Sequence, residues 1–181
     1  SMMKIMRGPS MEEMSVQIVD EIMGAGGSGG EEGEVKSELD KWIVRTKKVD
    51  NPRLRLYCLP YFAGGASIFS TWHEFLPEDI EVCAIQFPGR EDRGDERAYD
   101  DVNELVKKMT EIMEPLLTVP CAFYSHSSGA GVALELSRYL NRELDVQPVK
   151  FMVGGWRAPH LESPFKFLNA IADDEVYKDK N

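Results

Sequence analysis

Cysteine and histidine are both scarce in this 181-residue sequence, with three of each. Cys58, Cys83 and Cys121 each fall inside an apolar stretch that reads as a strand. An odd count without a C-x-x-C spacing favours buried, reduced thiols over disulfides or a metal site. Basic residues are in deficit: 21 Lys and Arg stand against 31 Asp and Glu, a net charge of −10. Without a basic stripe to displace counterions, a nucleic-acid partner is not expected. No apolar run approaches the roughly 20 residues that span a bilayer, so no membrane partner is expected either. The opening "SMMKIMRGPS" has no apolar core followed by a small-residue cleavage site, which reads as a cytoplasmic chain. The shortage of histidine leaves only His73, His126 and His160 as imidazole bases.

What is present reads as one α/β domain with an extension in front. Ser10 and Glu13 form a capping box for a short helix over 10–23, with Met14, Ile18 and Ile22 on one face. It is either a docking element or a loosely held tail. The Gly-rich, acidic run "GAGGSGGEEGE" (24–34) reads as a flexible linker. These place residues 1–40 as an extension and 41–181 as the folded domain. "KWIVRTKKV" (41–49) alternates like an edge strand, and "LRLYCLP" and "EVCAIQF" (81–87) like further strands. Helices are predicted over 66–76, 100–117 and 128–141, the second with Val102, Leu105, Val106, Met109, Ile112, Met113 and Leu116 at helical spacing. "CAFYS" is another strand. "VKFMVGGW" (149–156) is one more, without polar alternation, as for a strand covered on both faces. Strands alternating with helices in this rhythm specify a doubly wound, mostly parallel sheet.

In such a sheet, ligands bind beyond the carboxyl ends of the strands, where this chain has three unusual loops: "PYFAGGAS" (60–67), "FPGREDR" (87–93) and "SHSSGAG" (125–131). The third runs a strand into a helix through small residues centred on Ser127, the layout of a nucleophile elbow. Its turn is tight, so small residues are needed two before and two after the nucleophile, and Ser125 and Gly129 are small. Ser127 Oγ would stand at the N-terminus of the next helix, with the backbone N–H of Ser128 directed at the same point. The plainer alternative is a tight turn that merely uses serine. The first loop supplies what an elbow lacks, a second backbone donor for an oxyanion, and Ala63 in "FAGG" is the candidate. Turn chemistry alone is the competing explanation for Gly64 and Gly65.

The segments "LRLYCLPYFAGGASIFSTW", "FPGREDR", "FYSHSSGAGVALEL" and "GWRAPHL", in this order, resemble the type II thioesterases of polyketide and nonribosomal peptide synthesis. That family includes the medium-chain acyl-carrier-protein thioesterases of fatty-acid synthesis. The resemblance covers about 42–174 and implies an α/β-hydrolase fold. It also implies hydrolysis of acyl thioesters borne on the phosphopantetheine arm of an acyl or peptidyl carrier protein, with no cofactor of the protein's own. By position, Ser127 matches the family nucleophile, and Ala63 and Ser128 match its oxyanion donors. The family elbow is typically G-H-S-M-G, so Ser125 and Ser128 replace a glycine and a methionine; Ser128 acts through its backbone, which a side-chain change leaves in place.

The resemblance also implies that the family's acid and histidine lie downstream of "RAPH", beyond a helical lid. The sequence stops at Asn181, within what reads as the first lid helix, so the domain is expected to lack its last strands and most of the lid. His126 is expected to be a packing residue and His73 to sit on the helix after the oxyanion loop; His160 is the nearest stand-in for a base. Without a base a serine is a weak nucleophile. A non-catalytic relative that binds acylated carriers or a synthase is therefore the alternative function. Arg90 and Arg93 either meet a phosphopantetheine phosphate or carrier acids, or pair locally with Glu91, Asp92 or Asp95. Asp173, Asp174 and Glu175 read as a solvated stretch of the lid. Missing strands would leave apolar surface near Phe151–Val153 exposed, a route to self-association through an open sheet edge.

Overall fold

The computed structural model describes residues 36–157. The predicted helix over 10–23, its linker, and the lid segment with His160, Asp173, Asp174 and Glu175 lie outside the described residues.

Five strands form one sheet in the order β1-β3-β2-β4-β5. They are β1 (Ile43–Val44), β2 (Leu54–Leu59), β3 (Ile80–Ile85), β4 (Cys121–His126) and β5 (Lys150–Gly154). β3, β2, β4 and β5 run parallel, and β1 is antiparallel to β3. Among the described residues three α-helices accompany them: α1 (Glu38–Trp42), α2 (Val102–Met113) and α3 (Gly129–Leu144). Among the described residues no helix is long and apolar enough to cross a membrane.

The strand alternation sorts side chains into two cores. Tyr57, Leu59, Cys83, Ile85, Cys121 and Phe123 point to one face, where Val106, Met109 and Met113 of α2 and Ala133, Leu136 and Leu140 of α3 cover them. Their neighbours Leu56, Cys58, Val82, Ala84 and Ala122 point to the other face, against Ala66 and Phe69. Near the amino ends of β2 and β3 the register brings Arg55 beside Glu81. Arg55 Nε donates to Glu81 Oε2 at 2.6 Å and Nη1 donates to the carbonyl of Leu116, so the buried charges are both paired and hydrogen-bonded. The three cysteines are free and buried, and burial pushes the Cys83 thiol up to about 12.

Four elements differ from expectation. The 41–49 strand is only two residues long, because Ser37 Oγ accepts from the N–H of Asp40 (3.1 Å) and starts a helix through Trp42. The 66–76 helix is two 3-10 turns, Ala66–Phe69 and Trp72–Phe75. Their tighter winding brings Phe69 and Trp72 edge-to-face, 5.1 Å between ring centroids, and both onto Tyr124. The 100–117 helix ends at Met113 and becomes a 3-10 turn at Glu114–Leu116, where Pro115 has no N–H to continue the ladder. β5 is not covered on both faces. Phe151, Met152 and Val153 are exposed, which agrees instead with the apolar surface expected near Phe151–Val153, and among the described residues β5 pairs with β4 alone.

Candidate active site

β4 ends at His126 and α3 begins at Gly129, leaving Ser127 and Ser128 as the whole connection. A turn this short places Ser127 in the left-handed region, with φ of 49°. A non-glycine residue pays a steric cost there and stays only where its surroundings hold it. Ser127 N–H donates to the carbonyl of Gly154 at the end of β5 (2.9 Å), and Ser127 O accepts from Ala130 N–H (2.9 Å). Ser125 is fully buried, and its hydroxyl reaches the carbonyl of Met152 at 3.5 Å. At Gly129 a Cβ would lie 2.4 Å from the carbonyl oxygen of Pro60. The smallness of position 129 thus lets α3 start directly against the carboxyl end of β2. Ser127 consequently stands at the head of a 16-residue helix whose dipole favours negative charge there.

The loop after β2 is the second component. Gly64 N–H donates to Tyr61 O (3.0 Å), closing a turn in which Ala63 has φ of 67°. Turns of this hand normally place glycine at that point. The loop is clamped from behind by the loop after β3. Gln86, almost fully buried, accepts from Ala66 N–H (2.7 Å) and donates to Arg90 O (2.8 Å). The Glu91 carboxylate accepts from the N–H and hydroxyl of Ser67 and lies where a Cβ on Gly65 would be. Glu91 itself has φ of 44°. Among the described residues five non-glycine positions have positive φ; Asn51 and Asp145 are of types that tolerate it. The other three, Ala63, Glu91 and Ser127, each lie in a loop leaving the carboxyl end of β2, β3 or β4. Backbone strain is therefore concentrated on one edge of the sheet.

The structure brings the "FAGG" loop and the Ser127 turn to the carboxyl ends of adjacent strands, β2 and β4. No hydrogen bond from the N–H of Ala63 or of Ser128 is formed among the described residues. The two described histidines are elsewhere engaged. His73 Nδ1 lies 2.9 Å from Ser70 O. The His126 ring packs on Tyr61 (5.8 Å between centroids) and against Gly154 and Gly155, with its buried Nδ1 unpartnered. Arg93 does not pair with Glu91, Asp92 or Asp95. It donates to Glu96 and to Gln86 O and stacks on Trp42, which makes it a brace between α1 and the loop after β3.

The clamp of Gln86 and Glu91 escaped sequence reasoning. Its one legible signal was an amide, Gln86, directly after the apolar run 82–85. A cleft of about 560 Å³ beside Trp42, Arg93, Glu96 and Tyr99 contains no serine, cysteine or histidine and is separate from Ser127.

Known proteins resemble this chain in sequence and in fold. The Thioesterase domain family matches residues 54–179. The gramicidin S biosynthesis protein GrsT of Aneurinibacillus migulanus is 37% identical over 79% of this chain and 56% of its own length. The medium-chain S-acyl fatty acid synthase thioesterase of Anas platyrhynchos is 34% identical over 68% of this chain and 50% of its own length. Among solved structures, the RedJ thioesterase of the prodiginine pathway in Streptomyces coelicolor superposes with a TM-score of 0.57 and 35% identity, over 67% of this chain and 54% of that one. The chain thus spans about half the length of the curated relatives it matches. Its sheet is of the α/β-hydrolase type, as in those thioesterases. On sequence and architecture together, this chain belongs to the thioesterase domain family.

Proposed function

We propose that this chain carries the nucleophile and oxyanion hole of a serine thioesterase that releases acyl or peptidyl groups from the phosphopantetheine arm of a carrier protein. Ser127 Oγ attacks the thioester carbonyl. The resulting oxyanion is held by the N–H groups of Ala63 and Ser128, the arm leaves as its thiol, and water hydrolyses the acyl-enzyme. The protein contributes no cofactor of its own; the phosphopantetheine arrives with the substrate. The observation that carries this reading is the strained pair, Ala63 and Ser127, at the ends of adjacent strands. Such strain persists where the fold overdetermines it, and a partly exposed serine at a helix head is what it presents here.

The proton acceptor for Ser127 comes, in this reading, from outside residues 36–157, because His73 and His126 face other partners. That same observation supports the second reading, a carrier-binding relative without turnover. Acyl-thioester hydrolysis by the complete gene product decides between them. The enzyme reading expects turnover that Ser127→Ala abolishes with the fold intact; absence of turnover with retained carrier binding would establish the second. The acidic chain and an acidic carrier repel, so docking in a cytoplasmic setting would rely on local Lys and Arg at the site's rim.

A further inference from the structure

Arg90 differs from Arg93 and Arg97, its neighbours in the stretch after β3. Seven arginines among the described residues, from Arg45 to Arg142, sit against an aspartate or glutamate. Arg90 is not one of them, although "REDRGDE" surrounds it with acids. Those acids are drawn to other partners: Glu91 to Ser67, Asp92 to Lys36 and Glu96 to Arg93. The Arg90 backbone is fixed, its carbonyl accepting from Gln86 Nε2 and from Arg93 N–H (both 2.8 Å). Its guanidinium lies 5.1 Å from the ring centroid of Phe62, which is 74% exposed. Stacking occupies the face of a guanidinium and leaves its N–H edge available to an anion.

A continuous run of contacts connects this cation to the elbow. Phe62 carries Arg90, its neighbour Tyr61 packs on His126, and His126 adjoins Ser127. Phosphopantetheine has matching polarity along its length: a phosphate at one end, a gem-dimethyl group beside it, then amides, and the thioester at the other end. We propose that Arg90 binds the phosphate of the phosphopantetheine arm, and that Phe62 holds the arm's gem-dimethyl segment while the thioester end lies at Ser127. This assignment rests on the thioesterase reading above.

Titration calorimetry of the 181-residue chain with 4′-phosphopantetheine and with pantetheine, which lacks the phosphate, tests it. The phosphate is expected to tighten binding roughly 10- to 100-fold, as charge-assisted hydrogen bonds do, and the advantage should shrink with added salt. Arg90→Gln should erase that advantage while leaving pantetheine binding as it was. Phe62→Ala, at an exposed position, should weaken both ligands, and Arg97→Gln, which breaks an exposed pair with Asp100, should change neither. Equal affinity for the two ligands, no binding of either, a phosphate advantage surviving Arg90→Gln, or an equal loss in Arg97→Gln overturns the assignment. Acylation of Ser127 by a phosphate-free thioester is measured separately in the complete gene product, so failure of the phosphate site and failure of the thioesterase reading remain distinguishable.

Discussion

Two glycines in the first turn of α3 should respond to the same substitution with opposite signs. A Cβ on Gly129 would fall 2.4 Å from Pro60 O and 2.9 Å from Leu59 O. Both are backbone atoms at the end of a central strand, so no rotamer change can clear them. The helix must retreat by a good fraction of an ångström, and forced overpacking of this kind costs about 1–3 kcal/mol. On Gly131 a Cβ meets nothing within 4 Å. There alanine only restricts the unfolded chain and improves helix propensity, a gain of up to about 1 kcal/mol. Urea unfolding followed by circular dichroism should therefore separate Gly129→Ala from Gly131→Ala by roughly 1.5–4 kcal/mol, with wild type between them. A neutral Gly129→Ala, or two shifts of the same sign, would refute the close approach of α3 to β2 on which the elbow depends. Because the retreat also withdraws the Ser128 N–H, Gly129→Ala should slow acylation of Ser127 in the complete gene product, whereas Gly131→Ala should not.

Glu81→Ala leaves Arg55 buried without its carboxylate and should cost about 3–5 kcal/mol in urea unfolding. Asp79→Ala, which breaks the exposed pair with Arg53, should leave the midpoint unmoved. Native protein at about pH 8 should resist thiol reagents, since burial raises the pKa of all three cysteines, while denaturation should release three reactive thiols. The hydrogen bond from Arg93 holds the Glu96 carboxyl below its ordinary 4.5. A depressed folded value means that the pair's stabilisation is complete above that pH and is lost as pH falls through the lower folded value. Thermal unfolding across this acid range should lose part of its pH slope in Glu96→Gln.

Periodicity made the central sheet legible, because β2, β3 and β4 each put alternate residues into two separate cores and α2 and α3 repeat at helical spacing. The Ser127 turn was legible for a different reason: small residues at 125 and 129 have few other uses between a strand and a helix. Short elements were not. α1 exists through a single cap at Ser37, and the 3-10 turns follow from where Phe69 and Trp72 pack, a tertiary effect with no periodic trace. The Gln86–Glu91 clamp joins loops about 20 residues apart in sequence, and only the sheet's strand order reveals that they touch. The apolar run of β5 looked like a strand covered on both faces; composition does not show what lies over those faces, and Phe151, Met152 and Val153 are exposed.

The claim that Ser127 is the nucleophile is tested most directly by mass spectrometry of the complete gene product mixed with an acyl thioester and quenched early. One acyl group per chain, mapped to Ser127 and absent from Ser127→Ala, is the expected result. An acyl group on another residue, or hydrolysis that continues in Ser127→Ala, contradicts it.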